Sequence, residues 1–165
     1  IRIGASGKVG SGFDIARRLA PGADYTNSAR GFMFALGCIQ AQSCHTSRCP
    51  TGIATQDPSR WRKLDVPDKA TRVHQFHRNT LKALRELLCA AGLEHPAELG
   101  PDHVLRRVSP TEVRSLGGLY RFLAPGALLD GTADHSVFRD YWQDARSDAF
   151  GPPERVRAMR ASKSY

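Results

Sequence analysis

IRIGASGKVGSGFDIARRLA (residues 1–20), running on into PGADYTNSARGFMFALG (residues 21–37), is the stretch from which the fold is read. Ile1, Arg2 and Ile3 alternate apolar and polar, as at the end of a strand. Gly4-Ala5-Ser6-Gly7-Lys8 then forms a small-residue loop that continues to Gly12. Phe13, Ala16, Leu19 and Ala20 recur at helical spacing, which predicts a helix over 12–20 that Pro21-Gly22 ends. Asp24 to Asn27 predicts a second strand, Ser28-Ala29-Arg30-Gly31 a second small loop, and Phe32 to Leu36 a helix that Gly37 stops. Strand, loop and helix, twice over, is the order of parallel βα units. Small residues after each strand let backbone N–H groups approach an anion. In a (β/α)8 barrel, phosphate often sits on the loops after the seventh and eighth strands. Ordinary turns also produce such a glycine pattern.

Downstream, Cys38 to Asp57 shows little periodicity and reads as a loop. It carries Cys38, Cys44 and Cys49 in a Cys-x5-Cys-x4-Cys run, and the fourth cysteine, Cys89, lies far away. That is a poor disulfide framework and a good metal or cluster framework, and it points to a reducing compartment. Thiolates are the natural ligands of iron–sulfur clusters. Three of them suit a three-iron, four-sulfur cluster, which lacks one corner of the cubane. Zinc competes, because His45 beside Cys44 allows a Cys3His set to be written, although neighbouring residues rarely both reach one tetrahedral ion. Three unligated thiols so close together would be an oxidation liability. Spacing alone leaves cluster and zinc open.

Asp57-Pro58 has the form of an N-cap followed by Pro at the first helical position. From Pro67, the residues Val73, Phe76, Thr80, Leu84, Leu87 and Ala91 step by three and four along one apolar helix face, with Asp68 as cap and Gly92 as stop. His74 and His77 read as surface histidines and Cys89 as a buried small hydrophobe. Ser109-Pro110-Thr111-Glu112 has the pattern of a capping box. Ser136 caps a further helix through Val137, Tyr141, Trp142 and Ala145. Pro152-Pro153 precedes a basic tail with Arg155, Arg157, Arg160 and Lys163, read as a terminal helix.

The 165 residues are 41% hydrophobic and 24% charged, which is a globular rather than a disordered composition. No apolar run reaches membrane-spanning length, and no signal peptide is visible. The expectation is a cytoplasmic protein with no membrane partner. The first residue is Ile1 and the chain starts as if inside a fold, so more chain is expected upstream. A net charge of +8 suits an acidic partner or an Arg-rich solvated surface. Aromatic residues do not interleave with the charge, so no nucleic-acid partner is expected.

The segment Gly31-Phe-Met-Phe-Ala-Leu-Gly-Cys38, the cysteine spacing, and Cys49-Pro-Thr-Gly-Ile-Ala-Thr-Gln-Asp57 together resemble the end of the FMN-binding synthase domain of glutamate synthases. Ser6-Gly7-Lys8 and Gly12-Phe-Asp-Ile15 resemble the loop and helix after its seventh barrel strand. The match is nearest to the stand-alone members, which lack a fused glutaminase domain, and is strong over residues 1 to about 95. The resemblance implies an α/β fold: residues 1–58 as the last two βα units of a (β/α)8 TIM barrel with its iron–sulfur loop, and 59–165 as a mostly helical C-terminal extension. It implies FMN and a 3Fe-4S cluster as cofactors, with Cys38, Cys44 and Cys49 as cluster ligands. Ser6, Gly7 and Lys8 match one FMN-binding segment; Ser28, Ala29 and Arg30 match the other. The second is bulkier than the Gly-rich stretch of the large glutamate synthases, and Arg30 suits a phosphate.

The reaction implied is reductive amination: 2-oxoglutarate and ammonia, or glutamine-derived nitrogen, give 2-iminoglutarate, which reduced FMN converts to glutamate. Single electrons arrive through the cluster, from ferredoxin or another reductase subunit. An N-methylglutamate synthase subunit on the same scaffold is the nearest alternative, and a zinc-stabilised basic binding module the more distant one. A whole barrel needs about 250 residues. This chain alone is therefore expected to be inactive, with its catalytic residues upstream.

Overall fold

The structure, a computed structural model, describes all residues except 133, 143, 144, 150, 152, 153, 155, 156 and 159–165. The chain divides into two compact units, Ile1–Leu119 and Tyr120–Tyr165.

The first unit begins with β1 (Gly4–Ser6), α1 (Gly12–Leu19) and β2 (Tyr25–Asn27). The strands are parallel neighbours, with Gly4 opposite Tyr25, Ala5 opposite Thr26 and Ser6 opposite Asn27. This is the expected strand–helix–strand unit, with one correction. The strand lies at Gly4–Ser6 instead of Ile1–Ile3, because pairing starts where the Asp24 N–H donates to the Ile3 carbonyl at 2.8 Å. Ser6 is therefore the last strand residue and Gly7 the first of the loop. Ile1, Ile3 and Tyr25 remain exposed.

Helix α1 starts on a reciprocal cap. The Ser11 hydroxyl accepts from the Asp14 N–H at 3.1 Å, and the Asp14 carboxylate accepts from the Ser11 N–H at 3.0 Å. Helix α2 (Arg30–Leu36) follows β2 and ends at Gly37, whose φ of 104° is left-handed. A short 3₁₀ turn at Cys44–Thr46 interrupts the cysteine loop. Helix α3 (Pro58–Trp61) is capped by Asp57, which accepts from the Ser59 N–H, with Pro at the helix start, as its sequence predicts.

Helix α4 (Val66–Ala90) packs against both α1 and α2. Its cap is Asp65, not Asp68: the Asp65 side chain accepts from the Asp68 N–H at 3.1 Å. Pro67 lies inside the first turn, where its missing N–H costs nothing. Ala16, Leu84 and Leu88 form the core, with Ile15, Leu93 and Leu99 against it. At Gly12 the two helix backbones nearly touch, because a Cβ there would lie 2.6 Å from the Leu84 backbone nitrogen. Phe32 of α2 meets Phe76 edge to face at 5.1 Å.

The apolar face of α4 differs from the expected one at its end. Leu88 is buried, whereas Leu87 is exposed and Ala91 lies beyond the helix on the outside. The last turns advance by four, from Thr80 to Leu84 to Leu88, and carry Leu87 round to solvent. Cys89 is exposed, not buried. His74 and His77 are exposed, as expected.

Ser109 to Glu112 does not start a helix. It forms the turn of an antiparallel hairpin between β3 (Leu105–Arg107) and β4 (Val113–Ser115). The Ser109 hydroxyl accepts from Thr111, two residues on, and Glu112 pairs with Arg114 instead of reaching back. Residues on both sides can extend and pair, and that ladder wins over a lone capping pattern. Helix α5 (Leu116–Leu119) closes the unit.

The second unit contains α6 (Ser136–Trp142), the helix expected from Ser136. Val137, Phe138, Tyr141 and Trp142 are exposed on it. Of the expected basic tail, Pro152, Pro153, Arg155, Arg160 and Lys163 lie outside the described residues. Among the described residues, no helix is long and apolar enough to cross a membrane.

Candidate functional site

The loops after β1 and β2 are tied together. The Ser28 hydroxyl donates to the Val9 carbonyl at 2.5 Å, and Arg18 of α1 donates to the Gly7 carbonyl at 2.8 Å. These bonds use the Ser28 proton and orient Gly7. Lys8 then sits at a left-handed φ of 54°. A cavity of about 380 Å³ opens between the loops, lined by Lys8, Val9 and Gly10 on one side and Arg30, Gly31 and Phe34 on the other. Neither Lys8 nor Arg30 is paired with a carboxylate among the described residues. Asp14, at the same cavity, is already engaged. Burial opposes its charge, but the Ser11 hydroxyl, the N–H groups of Gly10 and Ser11, and Arg17 outweigh burial and hold its carboxyl below the usual range.

The two helix starts facing this cavity differ. That of α1 is closed by its own Ser11 and Asp14. That of α2 has Ala29 as cap, which offers no side-chain hydrogen bond. Of the six expected residues, Ser6 ends β1, Gly7, Lys8, Ser28 and Ala29 lie in the two loops, and Arg30 opens α2. Only Lys8 and Arg30 of the six line the cavity.

A second cavity of about 210 Å³ is lined by Arg30, Phe34, Cys38, Gln40, Gln42 and Cys44. Arg30 and Phe34 belong to both cavities, so one wall separates the cationic loops from the first two cysteines. All four cysteines are free thiols. Cys38 is half-buried, Cys44 exposed and Cys49 buried. Gln40, Gln42 and Ser47 take left-handed φ values of 57°, 55° and 59°. With Lys8 they are the only such non-glycine residues described, and all four lie in these loops. Such backbone costs about 1–3 kcal/mol per residue and persists only where surrounding bonds hold it.

At Ser47 those bonds are present. The Thr55 hydroxyl donates to the Ser47 carbonyl, and the Gln56 N–H donates to the Ser47 hydroxyl at 3.1 Å. Arg60 donates to the Arg48 carbonyl at 3.3 Å and to Asp57 at 3.1 Å. Sequence reasoning missed Ser47, Thr55 and Arg60 as supports, since contacts across a loop have no period.

Cys49 has the most developed surroundings. The Thr51 hydroxyl lies 3.4 Å from its sulfur. That hydroxyl and the Ala54 N–H, with the N–H groups of Thr51 and Ile53, overcome desolvation and bring the thiol down to about 7. These donors favour the thiolate form of Cys49. Among the described residues, no three His, Cys, Asp or Glu side chains converge on one ion, and that holds for Cys38, Cys44 and Cys49 as it does for a set with His45.

The sequence profile described as a conserved region in glutamate synthase matches residues 1–94. The chain belongs to the glutamate synthase family. It is 40% identical over 119 residues to the glutamate synthase large subunit-like protein YerD of Bacillus subtilis (strain 168), covering 72% of this chain and 23% of that protein. It is 38% identical over 93 residues to the archaeal glutamate synthase (NADPH) of Methanocaldococcus jannaschii, covering 56% of this chain and 18% of that one. A ferredoxin-dependent glutamate synthase of Pyropia yezoensis is 29% identical over 121 residues, covering 72% of this chain and 8% of the relative. The chain thus spans less than a quarter of the length of these glutamate synthases. The matched residues 1–94 include both cavities and the whole cysteine loop.

Proposed function

We propose that this chain is the C-terminal part of a glutamate synthase-like oxidoreductase that reductively aminates 2-oxoglutarate to glutamate with FMN and a 3Fe-4S cluster. In this reading residues 1–58 are the last two βα units of a (β/α)8 barrel with its cluster loop, and 59–165 a helical extension. The observation that carries it is the pair of cavities sharing Arg30 and Phe34: unpaired cations line one, Cys38 and Cys44 the other.

The residues suit both groups. Lys8 and Arg30 would neutralise the FMN phosphate, Ser6 and Gly7 would present backbone at close range, and Ala29 leaves the start of α2 free of a competing side chain. Cys38, Cys44 and Cys49 would hold the cluster. A cluster spreads its thiolates over several irons, so it does not require them to converge as one ion does. When bound, these groups supply hydride to a carbon–nitrogen double bond and electrons one at a time. The protein's share is orientation, charge neutralisation and a donor-lined seat for sulfur.

Ammonia or glutamine-derived nitrogen is the second substrate, and ferredoxin or another reductase subunit the electron source. The Arg-rich surface suits an acidic donor. Iron, acid-labile sulfide, zinc and released flavin measured on the full-length protein test the proposal. Iron with sulfide and FMN, with glutamate formed from 2-oxoglutarate, is the expected result. Stoichiometric zinc without sulfide would overturn it.

A further inference from the structure

Cys49-Pro50-Thr51-Gly52 is a tight turn, in which the Gly52 N–H donates to the Cys49 carbonyl at 3.3 Å. Pro50 has no N–H, so the first donors available to the Cys49 sulfur come from Thr51. The turn is fixed from behind. Gly52 has a left-handed φ of 78°, and a Cβ there would lie 2.6 Å from the Arg60 carbonyl oxygen. The Thr51 hydroxyl is thereby held 3.4 Å from the sulfur. A metal-bound thiolate has no proton, so in that state the hydroxyl must donate.

We propose that Thr51 is a positioning and tuning residue, whose hydroxyl donates to the cluster-ligating sulfur of Cys49 and raises the cluster's reduction potential. The proposal rests on the cluster reading above. Its physical basis is charge. Reduction adds negative charge to the cluster and its sulfurs, and a hydrogen bond to sulfur favours the more negative state. The apolar isostere removes the donor and keeps the shape.

The test is a potentiometric titration followed by electron paramagnetic resonance on the full-length protein and on Thr51→Val, Thr51→Ala and Thr51→Ser, with iron and sulfide counted in each. Thr51→Val and Thr51→Ala are expected to keep the cluster and shift its midpoint to more negative potential, with Thr51→Ser at the parent value. Should both apolar variants lose iron, retention by Thr51→Ser still supports the hydroxyl's role. An unchanged midpoint in cluster-loaded Thr51→Val, or loss of the cluster from Thr51→Ser, overturns it. If the parent protein holds no iron or sulfide, the cluster reading itself fails and takes this proposal with it. That outcome is distinct from a loaded cluster whose potential ignores Thr51.

Discussion

Cys49 in the loop and Cys89 on α4 carry the same side chain in opposite surroundings. On α4 the amides are consumed by the helical ladder, and past the last turn the Ala91 N–H still donates to the Leu87 carbonyl at 3.0 Å. None is left over for a sulfur, and Cys89 stands exposed. In the loop, the N–H groups of Thr51, Ile53 and Ala54 are spared from regular structure and turn toward Cys49. A helix satisfies its backbone internally; a loop must find other partners, and an anion is a good one. The irregularity of residues 38–57 is therefore what lets them surround a sulfur. It requires side chains from Ser47, Thr55 and Arg60 to hold the loop in place of a ladder.

The largest expected effect separates the two cysteines outright. Cys38→Ser, Cys44→Ser or Cys49→Ser should each remove most of the iron and sulfide from the full-length protein, while Cys89→Ser leaves both at the parent level. Equal loss in Cys89→Ser would break the comparison. Next, the α4 face is sharpened by adjacent leucines. Leu88→Ala should lower unfolding free energy by about 2–5 kcal/mol. Leu87→Ala should stay within about 0.5 kcal/mol, as a surface change does. Urea denaturation reads both.

Two glycines then compare loop with helix end. Gly92→Ala meets open space and bears only the left-handed backbone cost, about 1–2 kcal/mol. Gly52→Ala carries that cost and also forces its methyl against the Arg60 carbonyl. It should shift the denaturation midpoint further, and equal shifts would show that the loop yields there.

The smallest effect is in acid. The Ser59 hydroxyl and N–H, together with Arg60, hold the Asp57 carboxyl below its usual range. A depressed folded pKa gives stability that is present above the unfolded value and fades as pH falls through the folded one. Protection of the Ser59 amide against exchange, taken relative to its intrinsic rate at each pH, should therefore fall below the ordinary carboxylate range. In Asp57→Asn that acid step should be absent.

What the sequence shows follows from period and spacing. Helices α1 and α2, the Asp57-Pro58 start and the Gly37 and Gly92 stops were all readable, because caps and breakers act within a few residues. Asp68 reads as the cap one turn late, since Asp65 offers the same carboxylate three residues earlier and Pro67 tolerates either start. The Ser109 box misled because a four-residue pattern also fits a hairpin turn, and strand pairing lies outside its window. Within the candidate site, the cysteines announce themselves by type and spacing. The hydroxyl at Cys49, the bond between Ser28 and Val9, and the wall formed by Arg30 and Phe34 depend on segments meeting in space, and no local pattern encodes them.

That wall has a consequence for how the chain can change. Lys8 belongs to one cavity, and Gln40, Gln42, Cys38 and Cys44 to the other, so mutation can remodel either mouth alone. Arg30 and Phe34 give no such independence: any replacement is felt on both sides at once. Change is thus separable at the two rims and pleiotropic at the partition.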